Sequence, residues 1–246
     1  MAPAKLVQSL LGSGRGRHGR SGAPDVSLHP ALQTLVAHRR MPLTADRPLP
    51  PAAGGWSARL AGAVSTIASP PVLTVAGVLQ IALAIGGQQA LPWAVLYIAL
   101  AVLTPLVYLV RLLRGGSIGD LDVRRRTQRF RPLAVTELCQ AIGLAVLVLG
   151  HAPVLLARLA AAVLALTTVI LLITWRWKIS VHCGAASLVL SQAAVVTGTL
   201  LPLLVVLPLL IWSRLLLNHH TTAQTLLGTA LGGSVFLLFV VLVPGG

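Results

Sequence analysis

Residues 222–243 read TAQTLLGTALGGSVFLLFVVLV and contain no charged side chain. An α-helix crosses the hydrocarbon core of a bilayer in about 20 predominantly apolar residues, so this stretch is long enough to span a membrane. The rest of the chain has a similar composition: 56% of its 246 residues are hydrophobic, only 10% are charged, and the mean hydropathy is +0.86. A soluble domain does not have this composition. The sequence therefore predicts an integral membrane protein.

Six more apolar runs precede this one. They cover residues 70–86, 91–113, 132–150, 153–174, 181–200 and 201–217. Runs of this length are typical of helices that cross a bilayer. The first run begins with Pro70 and Pro71, which are tolerated only in a first helical turn. We therefore expect an all-α, polytopic transmembrane helical bundle of six or seven spans.

The first 55 residues differ from the rest of the chain. They are rich in Gly, Ser, Pro and Arg, as in GSGRGRHGRSGAP, and show no sustained helical or strand period. Segments of this composition cannot bury enough apolar surface to fold. We expect a disordered basic tail at residues 1–55, followed by a transmembrane domain at residues 56–246. No signal peptide is expected in the tail.

The basic residues give a net charge of +14 and indicate how the chain is oriented. They concentrate in the tail and in three segments: RLLRGGSIGDLDVRRRTQRFRP (111–132), WRWKIS (175–180) and WSR (212–214). The connections GGQQA, GHAP and TGTLLP contain none. Two spans separate each basic segment from the next, so all four lie on one face, which the positive-inside rule makes cytoplasmic. We expect a plasma-membrane protein with a cytoplasmic N-terminus, and membrane topology accounts for the charge without a nucleic-acid partner.

Each of the three basic segments also carries polar residues of the kind that line functional sites. Ionisable groups that converge on one face at a membrane boundary predict a functional site. The residues concerned are Arg124 and Arg131, then Ser180 and His182, then Ser213, Arg214 and His220.

The first two segments resemble two signature motifs of the type 2 phosphatidic acid phosphatase superfamily, which also includes the vanadium haloperoxidases. The first motif is a basic residue, six residues of any kind and Arg-Pro; RRRTQRFRP supplies Arg124, then Arg131 and Pro132. The second is Pro-Ser-Gly-His, which ISVHCG matches at Ser180 and His182. The region that carries the motifs is about 110–230.

The third segment resembles the third motif, which is Ser-Arg, five residues, His, three residues and Asp. Here it reads Ser213, Arg214 and His220, with Gln224 at the position of the acid. The string HHTTAQ resembles a branch of the superfamily that reads His-Thr-x-x-Gln, found among dolichyl diphosphatases and plastid-type lipid phosphatases. The amide carbonyl of a glutamine can still accept a hydrogen bond from the histidine Nδ1.

The resemblance implies a membrane lipid phosphatase that needs no metal and no other cofactor. It implies that His220 is the nucleophile, that His182 protonates the leaving group and that Gln224 orients His220. The remaining site residues bind phosphate: Arg124, Arg131, Arg214 and Ser180. On one unbroken helix, six residues rotate Arg214 and His220 about 240° apart. We therefore expect a turn near Leu217 to His219.

Two other functions remain open from the sequence. A catalytically inactive protein of the same superfamily would bind anionic lipid through positive charge alone. The string GDLDVRRRTQRFRP resembles the aspartate-rich loop of UbiA-type prenyltransferases, but the chain contains only five acidic residues and none after Glu137, which leaves no second magnesium motif.

The resemblance to lipid phosphatases leaves three substrates open: a polyprenyl diphosphate, phosphatidic acid and phosphatidylglycerol phosphate. The His-Thr-x-x-Gln string favours the first. The oligomeric state is also open.

The predicted orientation can be tested by labelling. In a background without Cys139 and Cys183, single cysteines are introduced into GGQQA and into RRRTQ, and intact cells are treated with an impermeant thiol reagent. We expect only the first cysteine to react, because the basic segments lie on the cytoplasmic face. Labelling of the second cysteine alone would show that the orientation is opposite to the predicted one.

Overall fold

Every run that is predicted to cross the membrane contains a helix. The computed structural model describes residues 55–84, 87–119, 123 and 126–242, without the side chains of residues 126, 127 and 240–242. The predicted tail, apart from Gly55, lies outside this part of the chain. The helices are α1 (Trp56–Ile67), α2 (Pro70–Ala84), α3 (Gly87–Ile98), α4 (Thr104–Arg114), α5 (Arg126–Leu149), α6 (Val154–Thr174), α7 (Val181–Thr197), α8 (Leu201–Leu216) and α9 (Thr222–Phe236). Two π-helical segments, Ala99–Leu103 and Leu237–Leu242, follow α3 and α9. No strand occurs among the described residues, so the all-α prediction is confirmed.

The chain is a membrane protein by the length and composition of its helices. Four stretches are long and apolar enough to cross a bilayer: Gly87–Arg114, Gln128–Leu149, Val154–Thr174 and Thr222–Phe239. Helices α1 and α2 meet at 47° and together make a fifth candidate. Helices α7 and α8 have only 17 and 16 residues. A 16-residue helix is about 24 Å long, which is shorter than a hydrocarbon core of about 30 Å. The predicted six or seven spans are therefore not reached on length and composition alone.

One end of the bundle, called here the polar end, collects the three basic segments. Helices α5, α7 and α9 begin at this end, and α4, α6 and α8 finish there. Hydrogen bonds across the polar end link the segments, for example from Ser180 N to the Gln224 carbonyl at 3.3 Å. Arg158 is an exception, because it lies in the second turn of α6, at the opposite end. The separation of basic residues between the two faces is therefore strong but incomplete.

Helices α7 and α9 approach each other through glycines. A Cβ atom on Gly228 would lie 2.6 Å from the Ser180 carbonyl oxygen, and one on Gly232 would lie 2.1 Å from the Gly184 carbonyl oxygen. Small residues four apart let two membrane helices come into backbone contact. This contact brings the beginnings of α7 and α9 together at the polar end. Helix α7 also packs against α2 and α8, and Gln192 Nε2 donates to the Gly77 carbonyl at 2.9 Å.

The π-helical segment Ala99–Leu103 interrupts the long stretch that begins with α3. Pro105 follows it and has no backbone N–H to continue the α-helical ladder. Thr104 instead donates its hydroxyl to the Ala99 carbonyl at 2.9 Å. The widened turn places Ala101, Val102 and Pro105 on the buried side, where they form part of a cavity wall.

We expect Gly232→Ala to destabilise the protein, because an added methyl group would overlap the Gly184 carbonyl. Overpacking of this kind costs about 1–3 kcal/mol. The measurement is the thermal midpoint of detergent-solubilised protein. Gly62→Ala is the control, since a Cβ there meets nothing within 4 Å. Equal midpoints for the two variants would contradict the close contact of α7 and α9.

Candidate active site

A cavity of about 730 Å³ opens among the helices beneath the polar end. At the polar end the cavity is lined by polar side chains from α1 and from within or shortly after the three basic segments: Ser65, Arg129, His182, His219 and His220. Its remaining wall is largely apolar and is formed by residues such as Val102, Leu106, Leu133, Leu166, Ile170 and Leu188. The cavity therefore joins a polar pocket to a hydrocarbon-like interior.

The turn between α8 and α9 brings two histidines to the cavity. Helix α8 ends at Leu216 and α9 begins at Thr222, and Asn218 has a left-handed backbone with φ of 53°, which asparagine tolerates better than most residues. The turn predicted near Leu217 to His219 is confirmed. His219 and His220 are each only 7% exposed.

Gln224 contacts His220 as the sequence predicts, and a helix cap holds Gln224 in position. The distance from His220 Nδ1 to Gln224 Oε1 is 3.0 Å. Gln224 Oε1 also accepts the Thr221 backbone N–H at 3.2 Å, and the Thr221 hydroxyl accepts the Gln224 N–H. This is a capping box at the beginning of α9. A carbonyl oxygen can only accept, so His220 carries its proton on Nδ1 and Nε2 is the basic nitrogen.

Burial lowers the pKa of His220 well below its ordinary value, because a charged imidazolium would lose its hydration. The positive charges of Arg129, Lys178 and Arg214 lower this pKa further. The hydrogen bond with Gln224 acts in the opposite direction and is the weaker effect. His220 is therefore neutral at neutral pH and lies beside three cationic side chains. A neutral imidazole keeps the lone pair on Nε2 that a nucleophile requires.

Helix α1, which the sequence does not predict, holds Arg214 in place. Arg214 is 1% exposed, and its Nη1 donates to the Ser65 hydroxyl at 2.6 Å. The neighbouring Ser213 donates its hydroxyl to the Ala61 carbonyl at 2.7 Å. Two consecutive residues of α8 thus bind α1. The short segment before Pro70 carries no signal that distinguishes it from the basic tail, so Ser65 is missed by sequence reasoning.

The structure brings Arg129 into the cavity, where the sequence predicts Arg131. Arg129 is 5% exposed and donates Nε to the Val123 carbonyl at 2.7 Å and Nη1 to the Ile179 carbonyl at 3.3 Å. Arg131 is exposed and does not line the cavity. Residues that are two positions apart on an α-helix point about 200° away from each other, so Arg129 and Arg131 cannot both face the same cavity. The structure therefore places Arg129, and not Arg131, at the cavity, and phosphate binding by Arg131 stays a prediction. Arg124, together with Asp120 and Asp122, lies outside the described residues.

In the second segment, Ser180 has a structural position and His182 lies at the cavity. Ser180 is fully buried and caps α7, its hydroxyl accepting the Cys183 N–H at 3.3 Å. It does not line the cavity, and phosphate binding by Ser180 stays a prediction beside this capping role. His182, in the first turn of α7, is 7% exposed and lines the cavity. Lys178, which the sequence analysis did not single out, donates Nζ to the His219 carbonyl at 2.7 Å.

Comparisons with protein-family models, curated proteins and solved structures find no match to this chain. Within the described ranges, no group of three or more His, Cys, Asp or Glu side chains is arranged to hold a metal ion. Chemical reasoning about the site therefore rests on the side chains themselves. They provide a neutral, oriented histidine and a second histidine at the cavity, with Arg129 in the cavity wall and Arg214 and Lys178 outside the set of residues that line it.

We expect Arg129→Gln to weaken the binding of inorganic phosphate about 10-fold or more, because a charge-assisted hydrogen bond contributes about 1.5–3 kcal/mol. Arg131→Gln, the same change on the opposite face of α5, should leave the affinity almost unchanged. Isothermal titration calorimetry on the detergent-solubilised protein measures both, with the gel-filtration profile as a check of folding. Loss of binding only in the Arg131 variant would support the sequence-based assignment.

Proposed function

We propose that this protein is a membrane lipid phosphatase that hydrolyses a phosphate monoester or diphosphate of a lipid through a phosphohistidine intermediate. The observation that carries the proposal is His220, a neutral imidazole with Nδ1 held by Gln224. It lies among cationic side chains at the polar end of a cavity whose remaining wall is apolar. A phosphate and its lipid chain have this same division between charge and hydrocarbon.

The first step is attack by His220 Nε2 on phosphorus. A bond forms between Nε2 and phosphorus while the bond from phosphorus to the leaving oxygen breaks. Arg129, Arg214 and Lys178 neutralise the charge on the equatorial oxygens, as phosphoryl transfer requires. His182 donates a proton to the leaving oxygen, which departs as the lipid alcohol or lipid phosphate.

The second step regenerates the histidine. Water attacks the phosphohistidine, His182 takes the proton of the water, and the bond between phosphorus and Nε2 breaks to release phosphate. Orienting His220 through Gln224 fixes the nitrogen that attacks in the first step. Because the reaction uses only the side chains named here, we propose that it proceeds without a metal ion.

The short helices around the site support a substrate that stays in the membrane. Helices α7 and α8 are shorter than the four stretches that are long enough to cross a bilayer, and we propose that the turn at His220 lies at or below the headgroup level. A lipid phosphate can then enter the site while its chain remains in the cavity. The cytoplasmic orientation of the site is part of this proposal and follows from the basic segments.

The decisive experiment measures phosphate release by the purified protein from phosphatidic acid, phosphatidylglycerol phosphate and a polyprenyl diphosphate. Activity should persist in EDTA and be inhibited by vanadate, which mimics five-coordinate phosphorus. Activity that is abolished by EDTA and restored by magnesium would overturn the mechanism. A protein that only binds anionic lipid would tolerate Arg214→Lys, whereas a phosphatase would lose most of its turnover because the guanidinium fork is lost.

We expect His220→Ala to abolish turnover and His219→Ala to retain much of it, because Gln224 orients only His220. Gln224→Leu should reduce turnover on the order of 10²-fold or more, by analogy with other histidines that depend on an orienting partner. Gln224→Asp should preserve or raise it, because a carboxylate stabilises the imidazolium. Initial rates on the preferred lipid measure all four variants. If both histidine variants stayed active, the phosphohistidine mechanism would be abandoned.

A further inference from the structure

The cavity wall carries a polar side chain that the proposed reaction does not use. Gln140 is only 6% exposed and lines the cavity, yet its Oε1 has no hydrogen-bond partner among residues 55–84, 87–119, 123 and 126–242. An amide oxygen buried without a donor is costly, and a ligand that supplies the donor recovers this cost. We infer that Gln140 forms a second subsite, whose Oε1 accepts a hydrogen bond from a free hydroxyl on the glycerol backbone of a lipid phosphate. The inference rests on the proposed function.

Helix α5 presents Gln140 and the phosphate-binding arginine on the same face. Arg129, Leu133, Thr136 and Gln140 are spaced by four, three and four residues, which is the period of one helical face. All four line the cavity. Arg129 lies towards the polar end and Gln140 is the deepest of the four. The Thr136 hydroxyl already donates to the Pro132 carbonyl at 2.9 Å. On this face of α5, Gln140 is therefore the residue whose side-chain oxygen is left to accept a hydrogen bond from a ligand.

The depth of Gln140 follows from contacts between α5, α6 and α7. The Thr168 hydroxyl donates to the Glu137 carboxylate, which sets α5 against the middle of α6. The Leu166 and Ile170 side chains lie 3.5 Å from the position of a Cβ on Gly184, which sets the same part of α6 against α7. Gln140 lies three residues beyond Glu137, and His182 lies two residues before Gly184. At a rise of about 1.5 Å per residue, Gln140 is about 7 to 8 Å deeper than His182.

A glycerol-based lipid carries an oxygen at this distance. The oxygen of a free hydroxyl on its second or first glycerol carbon lies four or five bonds from phosphorus. An extended chain advances about 1.2 Å per bond, as the reach of extended polypeptide indicates, so these oxygens lie up to about 6 Å below the phosphate. The Gln140 side chain covers the remaining distance. A polyprenyl monophosphate has only hydrocarbon at this depth and would leave the amide unpaired.

The test measures binding to the His220→Ala protein, which cannot turn the lipid over. The probes are 1-oleoyl lysophosphatidic acid, which has a free glycerol hydroxyl, and farnesyl phosphate, both in detergent micelles. Adding Gln140→Leu should weaken lysophosphatidic acid binding about 10-fold, because an unpaired polar group costs about this factor in affinity. The same change should leave farnesyl phosphate binding unchanged or tighter. Gln89→Leu is the matched control, since Gln89 is exposed in the first turn of α3 and outside the cavity, and it should alter neither affinity.

The outcomes separate this inference from the proposed function. Equal weakening of both lipids, an unchanged affinity for lysophosphatidic acid, or binding of farnesyl phosphate alone would overturn the role of Gln140 and leave the phosphatase proposal standing. If the His220→Ala protein bound neither lipid, the proposed function and the inference would fail together.

Thermal stability gives a second readout, because a ligand-binding role and a structural role of Gln140 predict opposite changes of the thermal midpoint in Gln140→Leu. Gln140→Leu removes a buried amide that has no partner in the described part of the chain, so the thermal midpoint of the lipid-free protein should rise. Improved stability at the expense of binding is typical of residues kept for function. A lower midpoint would assign Gln140 to the packing of the bundle and overturn the inference.

Discussion

The close contact between the first turns of α7 and α9 is the constraint on which the site depends. No side chain fits between the Ser180 carbonyl and Gly228, and Ser180 N donates to the Gln224 carbonyl across the same contact. Because the two helix beginnings are joined by backbone atoms, His182 and His220 reach one cavity. A side chain at position 228 would push α7 and α9 apart and so separate His182 from His220, without contacting either histidine.

Buried charge sets the electrostatics of the site. Arg214 and Arg129 are almost completely buried, which would be unfavourable for isolated charges. Hydroxyl and carbonyl oxygens from Ser65, Val123 and Ile179 accept hydrogen bonds from the two guanidinium groups. The positive charges of both arginines also help to hold His220 in the neutral form that a nucleophile requires.

The proposed chemistry and the proposed lipid specificity lie on one face of α5. Arg129 at the polar end and Gln140 deeper in the cavity are separated by three helical turns of the same wall. A lipid that enters from the membrane would meet both, first through its phosphate and then through a free glycerol hydroxyl. The π-helical segment before α4 packs against α5 and contributes Ala101 and Val102 to the cavity wall.

The sequence by itself determined the helical membrane fold, the turn between α8 and α9 and the pairing of His220 with Gln224, because apolar run lengths and local spacing encode them. It did not distinguish Arg129 from Arg131, since only the packing of α5 decides which face is buried. It also missed Ser65, and it did not predict that Ser180 lies outside the cavity wall. These depend on contacts between segments far apart in the chain, which only the tertiary structure decides.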